Sequence, residues 1–265
     1  MTLEELRIQQ RGQREENKMS NLSDIGFHAK GDEGINEMIM SVLDSAKEIR
    51  CDGGFYLRFS DSSGAELFLQ GNASHEMIGF NPHFSGKSRR KVALLHTIVR
   101  DTSELDGAFH AVANPDSSRP ETGEFEFVFD VPDFRLAKVG DMPHLAEIEL
   151  TAFGSNDFKL FDSGESLAAA GGGWSEKSFV PPGLAELLSD PNVNLSMLRP
   201  IAKISGIVVE HEVRKNSVSG NEFNWLLVET VGGCVDVVID PVYVPEQPRV
   251  GQVAAGHFWL SGRFL

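Results

Sequence analysis

Residues 203–216 read KISGIVVEHEVRKN, residues 217–241 read SVSGNEFNWLLVETVGGCVDVVIDP, and residues 248–265 read PRVGQVAAGHFWLSGRFL. From Lys203 to Arg214 the residues alternate: Ile207, Val209, His211 and Val213 share one strand face, and Val208, Glu210, Glu212 and Arg214 the other. Gly206 interrupts the apolar run, as glycine does at a bulge or sharp bend. Ser217 to Asn221 has turn composition, and Glu222 to Thr230 is rich in aromatic and branched residues, which predicts the paired strand. Gly232-Gly233 suits a two-residue turn. Val235, Val237 and Ile239 then alternate with Cys234, Asp236 and Asp240 in a third strand. Pro241, Pro245 and Pro248 end the ladder, because proline has no backbone N–H to donate. A final strand is expected over roughly Gln252 to Phe264.

Three strands in a meander, a proline-rich crossing and a closing strand resemble an OB-fold barrel, a five-stranded Greek-key design. The pattern departs from that design in two ways. It has no helix between the third and fourth strands, and it supplies four strands, so the barrel is either open or completed by the N-terminal part.

Composition narrows the class. The chain has 265 residues, 41% hydrophobic and 24% charged, which is ordinary for a globular protein. Its formal charge of −15 weighs against non-specific binding to nucleic acid or anionic membrane. Cys51 and Cys234 form neither a disulfide framework nor a zinc spacing. The first residues, MTLEELRIQQRGQREENK, carry no apolar signal region, and no apolar run has the length of a membrane span. A cytoplasmic location is the expectation.

Residues 1–20 are polar and of mixed charge, and read as a flexible leader. Glu33 to Arg50 predicts one amphipathic helix, with Ile35, Met38, Ile39, Val42, Leu43, Ala46 and Ile49 on one stripe and Asp32 as N-cap. Gly54 to Gln70 predicts a hairpin turning at Asp61-Ser62-Ser63-Gly64, followed by a short strand over Met77 to Phe80. The basic run KSRRK, residues 87–91, reads as a solvated loop. Lys91 to Arg100, apolar on both faces, predicts a covered central strand, and Ala108 to Ala113 a short one. Glu124 to Val131 (EFEFVFDV) predicts a strand with Phe125, Phe127, Phe129 and Val131 inward. His144 to Phe153 reads as a sheet-edge strand. From Ser163 the pattern lapses into a crossover, part of which is expected to pack on the N-terminal sheet through Trp174 and Phe179. No strict internal repeat is present.

The fold class is therefore mainly β, of α+β type. An antiparallel sheet domain with one amphipathic helix spans residues 21–162, a crossover spans 163–199, and a small OB-like β-barrel spans 200–265.

No phosphate loop, metalloprotease helix, nucleophile elbow or dinucleotide fingerprint is present. No cofactor is expected. His75, Glu76 and His83 have the residue types of a metal site, but their spacing fits no standard ligand geometry, so they read as loop residues. Glu210, Glu212, Asp236 and Asp240 fall on exposed-looking strand faces that could converge into an acidic cleft. His96 sits among apolar residues and reads as a hydrogen-bonded core histidine. The candidate interaction surface comprises Trp225, Phe258, Trp259, His211 and Arg263, with Phe223 beside it. The expected function is a soluble, non-enzymatic binding or scaffold protein that recognises a protein partner through a sheet edge or barrel face. The alternatives are single-stranded nucleic-acid binding through the OB-like module and a hydrolase with dispersed histidines and carboxylates. An open barrel edge would also permit a homodimer.

Overall fold

The computed structural model describes residues 21–100, 103–190, 192–244 and 246–265. The leader expected over residues 1–20 lies outside them. The described residues are mainly β: a four-stranded antiparallel sheet, and a larger sheet that closes into an eight-stranded barrel. No helix among the described residues is long and apolar enough to cross a membrane.

Helix α1 spans Gly31–Leu43, and the segment expected to continue it is instead strand β1, Lys47–Cys51. The helix stops at a turn through Asp44 and Ser45, whose hydroxyl donates to Val42 O. Beyond that turn the backbone pairs with β2, Gly54–Ser60, opposing Ile49 to Tyr56. Hydrogen bonding to a neighbouring strand overrides helix periodicity there. Lys30 is the N-cap, not Asp32, and it makes no side-chain cap. β3, Ala65–Asn72, and β4, Met77–Phe84, complete the sheet in the order β1-β2-β3-β4.

The barrel is built from β5 (Arg90–Val99), β6 (Gly107–Ala113), β7 (Phe125–Val131), β8 (His144–Phe153), β11 (Ile201–Lys215), β12 (Glu222–Thr230), β13 (Gly233–Ile239) and β14 (Val253–Phe264). Between its halves lie β9 (Lys159–Phe161), α2 (Gly164–Ala169), β10 (Ser178–Val180) and α3 (Leu184–Leu188). The C-terminal strands do not close by themselves, and β8 of the N-terminal part joins them. β8 runs parallel to β13 and antiparallel to β14, and β14 pairs with β11. The expectation that β8 is an edge strand is corrected: it has neighbours on both sides and sits at the centre of the barrel.

The two halves are related by a pseudo-twofold axis. β5-β6-β7-β8 and β11-β12-β13-β14 have the same connectivity and the same register. Arg90 opposes Ile148 as Ile204 opposes Gly256. β5 is bulged between Leu94 and His96, and β11 at the equivalent point between Val208 and Glu210. The parallel pair Val238 and Phe153 matches the parallel pair Asp130 and Ser261. The axis passes through the pair Ala152 and Leu260, which the operation maps onto itself. Equivalent side chains share almost no identity: β7 reads FEFVFDV where β13 reads GCVDVVI. What is shared is which positions are apolar and inward, which explains why the repeat is invisible as residue identity.

One core fills the barrel. Phe127, Phe129, Ile148, Leu150, Val235, Val237, Phe258 and Leu260 belong to it, and Phe179 of β10 docks there against Phe125 and Phe127 of the N-terminal half, whereas Trp174 packs instead on Val253 and Ala255 of β14. Gly206 sits where β11 crosses close to β12: a Cβ would lie 2.5 Å from Glu229 O. The bulge itself falls at Val208/Glu210, two positions later than the sequence suggests.

The second core lies between α1, the four-stranded sheet and the barrel. Leu22, Ile25 and Phe27 insert into it beside Met38, Phe84 and Trp225. Asp24 is carried into the interior with this segment and accepts Asp240 N at 2.8 Å. Burial pushes its carboxyl well above the usual range; the Asp240 amide offsets part of this, and the Asp240 carboxylate adds to it.

Phe127 is fully buried, with the rings of Phe125, Phe129 and Phe179 at 5.9, 5.6 and 5.7 Å. Phe127→Ala should cost about 3–5 kcal/mol in urea unfolding. A raised carboxyl pKa means the fold is more stable when Asp24 is protonated, and this stability is lost as pH rises through the folded-state pKa. Asp24→Asn should therefore melt a few degrees higher than wild type at about pH 8, with the gain vanishing towards about pH 4.

Candidate functional site

Where the four-stranded sheet meets the barrel, the contact is a chain of buried ionic groups. His83 of β4 places Nδ1 2.8 Å from Ser261 Oγ and Nε2 3.2 Å from Glu149 Oε1. Glu149 Oε2 accepts from Ser85, and Arg263 Nη1 lies 3.6 Å from Glu149 Oε1. Arg263 continues to Glu66 at 3.3 Å and Asp133 at 3.3 Å, and Glu66 accepts from Arg58 and Ser60. Burial pushes the Glu149 carboxyl up, but His83, Arg263 and Ser85 outweigh it and hold the group below its ordinary value. Serine, histidine and carboxylate stand here in the order of a catalytic triad. Yet Ser261 and His83 have no exposed surface, so no substrate atom can reach the hydroxyl. The arrangement orients the sheet on the barrel.

The residues singled out from sequence are dispersed. Trp225, Phe258 and Trp259 are buried, so an open stacking face on these aromatics is corrected to interior positions. Trp225 Nε1 donates to Asp236 at 2.7 Å and Trp259 Nε1 to Asp130 at 2.9 Å, so each indole N–H is satisfied inside. His211 is half-buried and bonds Asn224 at 3.1 Å, while Arg263 belongs to the ionic seam. Phe223 packs edge-on against Phe84 at 6.0 Å. A basic groove with aromatic platforms is therefore not assembled from these residues.

The metal-like trio separates. His83 is buried, His75 sits at positive φ in a turn against Phe55, and Glu76 bonds Asn72. The acidic four do not converge. Glu210 pairs with Lys87 and Glu212 with Arg214, whereas Asp236 and Asp240 are buried acceptors of backbone N–H groups. His96, expected in the core, is exposed; the bulge beside it turns it outward, where it stacks on buried His110 with Nδ1 atoms 3.1 Å apart. Burial lowers the His110 pKa against the opposing pull of Glu126. The basic run is not a solvated loop throughout: Arg90 is buried between the rings of Phe125 and Phe179, and burial pulls its pKa down to about 10. Among the described residues no group of three or more His, Cys, Asp or Glu could hold a metal ion.

Sequence reasoning missed a concave site on the barrel's flank. A cavity of about 150 Å³ lies between β9, β14 and the loop after α2. Phe161 and Ala255 line it, Trp174 is half-buried at its wall, and Asp157 and Lys159 stand at its rim. Local structure explains the placement. Ser163 and Ser166 form a reciprocal capping box that starts α2, and Leu167 seats it over Val253 and Ala255. The chain then turns through Gly171, Gly172 and Gly173, all at positive φ, where a side chain would be strained. That turn returns Trp174 to the barrel. Lys203 fixes the indole from one side, its Nζ 3.8 Å from the ring centroid and donating to Gly172 O at 3.1 Å. Across the rim His257 Nδ1 lies 2.5 Å from Asp157 Oδ2, with its ring edge-on to Trp174 at 6.4 Å. Burial raises Asp157, but Ser155 and His257 outweigh it and keep the carboxyl low. The signal in the sequence was the lone tryptophan directly after three glycines.

No family model matches the chain, and no curated protein or solved structure matches it either.

Glu149→Ala would leave His83 and Arg263 facing a void in the seam, and should cost about 3–5 kcal/mol. Because the Glu149 pKa is lowered, its stabilisation is present above the ordinary carboxylate pKa and lost as pH falls through the lowered value. The variant's acid-unfolding midpoint, followed by circular dichroism, should accordingly lie at higher pH than that of wild type.

Proposed function

We propose that this chain is a non-enzymatic binding protein that recognises a protein partner at the Trp174 cleft. The observation that carries this reading is a half-exposed indole at the wall of a cavity, capped by Lys203 and faced across the rim by the Asp157–His257 pair. Interface energy concentrates in tryptophans of this kind, seated in pockets with a polar rim. Lys203 over one side of the ring and His257 against its edge restrict the indole before any partner arrives, which lowers the entropy lost on binding. The −15 charge favours a basic partner by long-range attraction.

A second reading rests on Asp157 and His257. A carboxylate that fixes the Nδ1–H tautomer leaves Nε2 as a base at the rim of the cleft, as a hydrolase with dispersed His and carboxylate residues requires. It predicts turnover that His257→Ala abolishes.

Tagged full-length protein and its Trp174→Ala variant, used as bait in nuclease-treated host lysate, test the first reading. A stoichiometric protein partner should bind wild type, and the variant's Kd for it should be about thirtyfold weaker, while its circular dichroism spectrum shows that it remains folded. Equal capture by the two proteins, or partners that vanish with nuclease, would sink the proposal.

A further inference from the structure

The pseudo-twofold axis exposes an asymmetry. In the C-terminal half, the outer edge of β14 is covered: Val253, Ala254 and Ala255 pair antiparallel with Phe161, Leu160 and Lys159 of β9. Helix α2 adds Leu167, and Val253 and Ala255 are fully buried as a result. The equivalent stretch of the N-terminal half is Leu145 to Glu147 on β8. Its inner edge pairs with β5, but among the described residues no strand lies on its outer edge, where Leu265 N reaches Glu147 O at 3.1 Å. Leu145, which stands where Val253 stands, is 58% exposed, and Leu265 beside it is 61% exposed.

We infer that the outer edge of β8 at Leu145 is a docking site for an extended, apolar segment of a partner protein, laid antiparallel to β8 as β9 is laid on β14. The molecule itself shows the chemistry of the occupant. At the equivalent edge it is a three-residue strand, Lys159–Phe161, whose Leu160 packs on the barrel core and whose Phe161 packs with Val253. Beyond the Leu265–Glu147 hydrogen bond, the edge at Leu145 carries no strand among the described residues, so its backbone donor and acceptor can receive one, and the exposed Leu145 and Leu265 give it an apolar seat. This surface does not involve Trp174, so it stands or falls separately from the cleft.

The probe is a dye-labelled peptide with the sequence of residues 157–163, DFKLFDS, titrated into full-length protein and read by fluorescence anisotropy and by amide chemical shifts. Saturable binding is expected, with shifts centred on Leu145 to Glu147. Affinity should fall about tenfold or more with Leu145→Asp, or with a peptide N-methylated at its central leucine. Leu145 is exposed, so the variant should keep its melting temperature; if it does not, the N-methylated peptide alone decides. Absence of binding, or binding that neither change weakens, would overturn the inference. So would shifts at Val253 to Ala255, which would mean that the peptide displaces β9. Sedimentation completes the test: a dimer that Leu145→Asp dissociates would assign the edge to a second copy of the chain and overturn the partner segment.

Discussion

Everything in the barrel depends on one antiparallel contact, the five residue pairs from Ile148 and Phe264 to Ala152 and Leu260 that join β8 to β14. Each of these strands ends one half of the barrel and begins the closure of the other. Neither half can close alone, because β13 finds its parallel neighbour in β8 and β7 finds its own in β14. The inner faces of both halves thus become one core. That sharing suits a mainly β chain of this size, since a small barrel buries too little apolar surface to be comfortably stable.

The opposite face of the same two strands carries the ionic seam. Glu149, Thr151, Ser261 and Arg263 alternate with the core residues, so the register that fills the barrel also aligns His83, Glu66 and Asp133 against them. Buried charges of this kind are costly unless each has its partner in place. The four-stranded sheet can meet the barrel in the register that completes the chain of pairs, and sliding it by one residue would strand several of them. The triad-like order of Ser261, His83 and Glu149 is a consequence of this docking, which encloses both the hydroxyl and the imidazole.

The candidate site was far less legible than the fold. Trp225, Phe258 and Trp259 stood out as aromatics on strands, but strand aromatics in a closing barrel point into a core at least as readily as out of it. Trp174, in contrast, lay in the stretch where periodicity failed. Its role follows from three positive-φ glycines, a capped short helix and a lysine from β11, which meet through the fold and not through sequence spacing. His96 was misplaced for a related reason: a bulge beside it reverses which side of β5 it faces.

By itself the sequence determined the β-rich class, nearly every strand from β2 to β14 and the inward phenylalanines of β7, but it placed the turn between β12 and β13 at Gly232-Gly233, where the pairing of Thr230 with Gly233 puts it at Val231-Gly232. Those features are set by alternation and by glycine and proline, which act over a few residues. The sequence also ran the helix on to Arg50, where Lys47–Cys51 instead forms β1 because β2 lies alongside to pair with it. The tertiary structure alone decided that β8 is central, that two dissimilar sequences form a pseudo-twofold barrel, and that one outer edge is covered by a strand while its counterpart carries none among the described residues. These depend on pairings between residues a hundred positions apart, and hydrogen-bond register between distant strands leaves no local trace in the amino acids that make it.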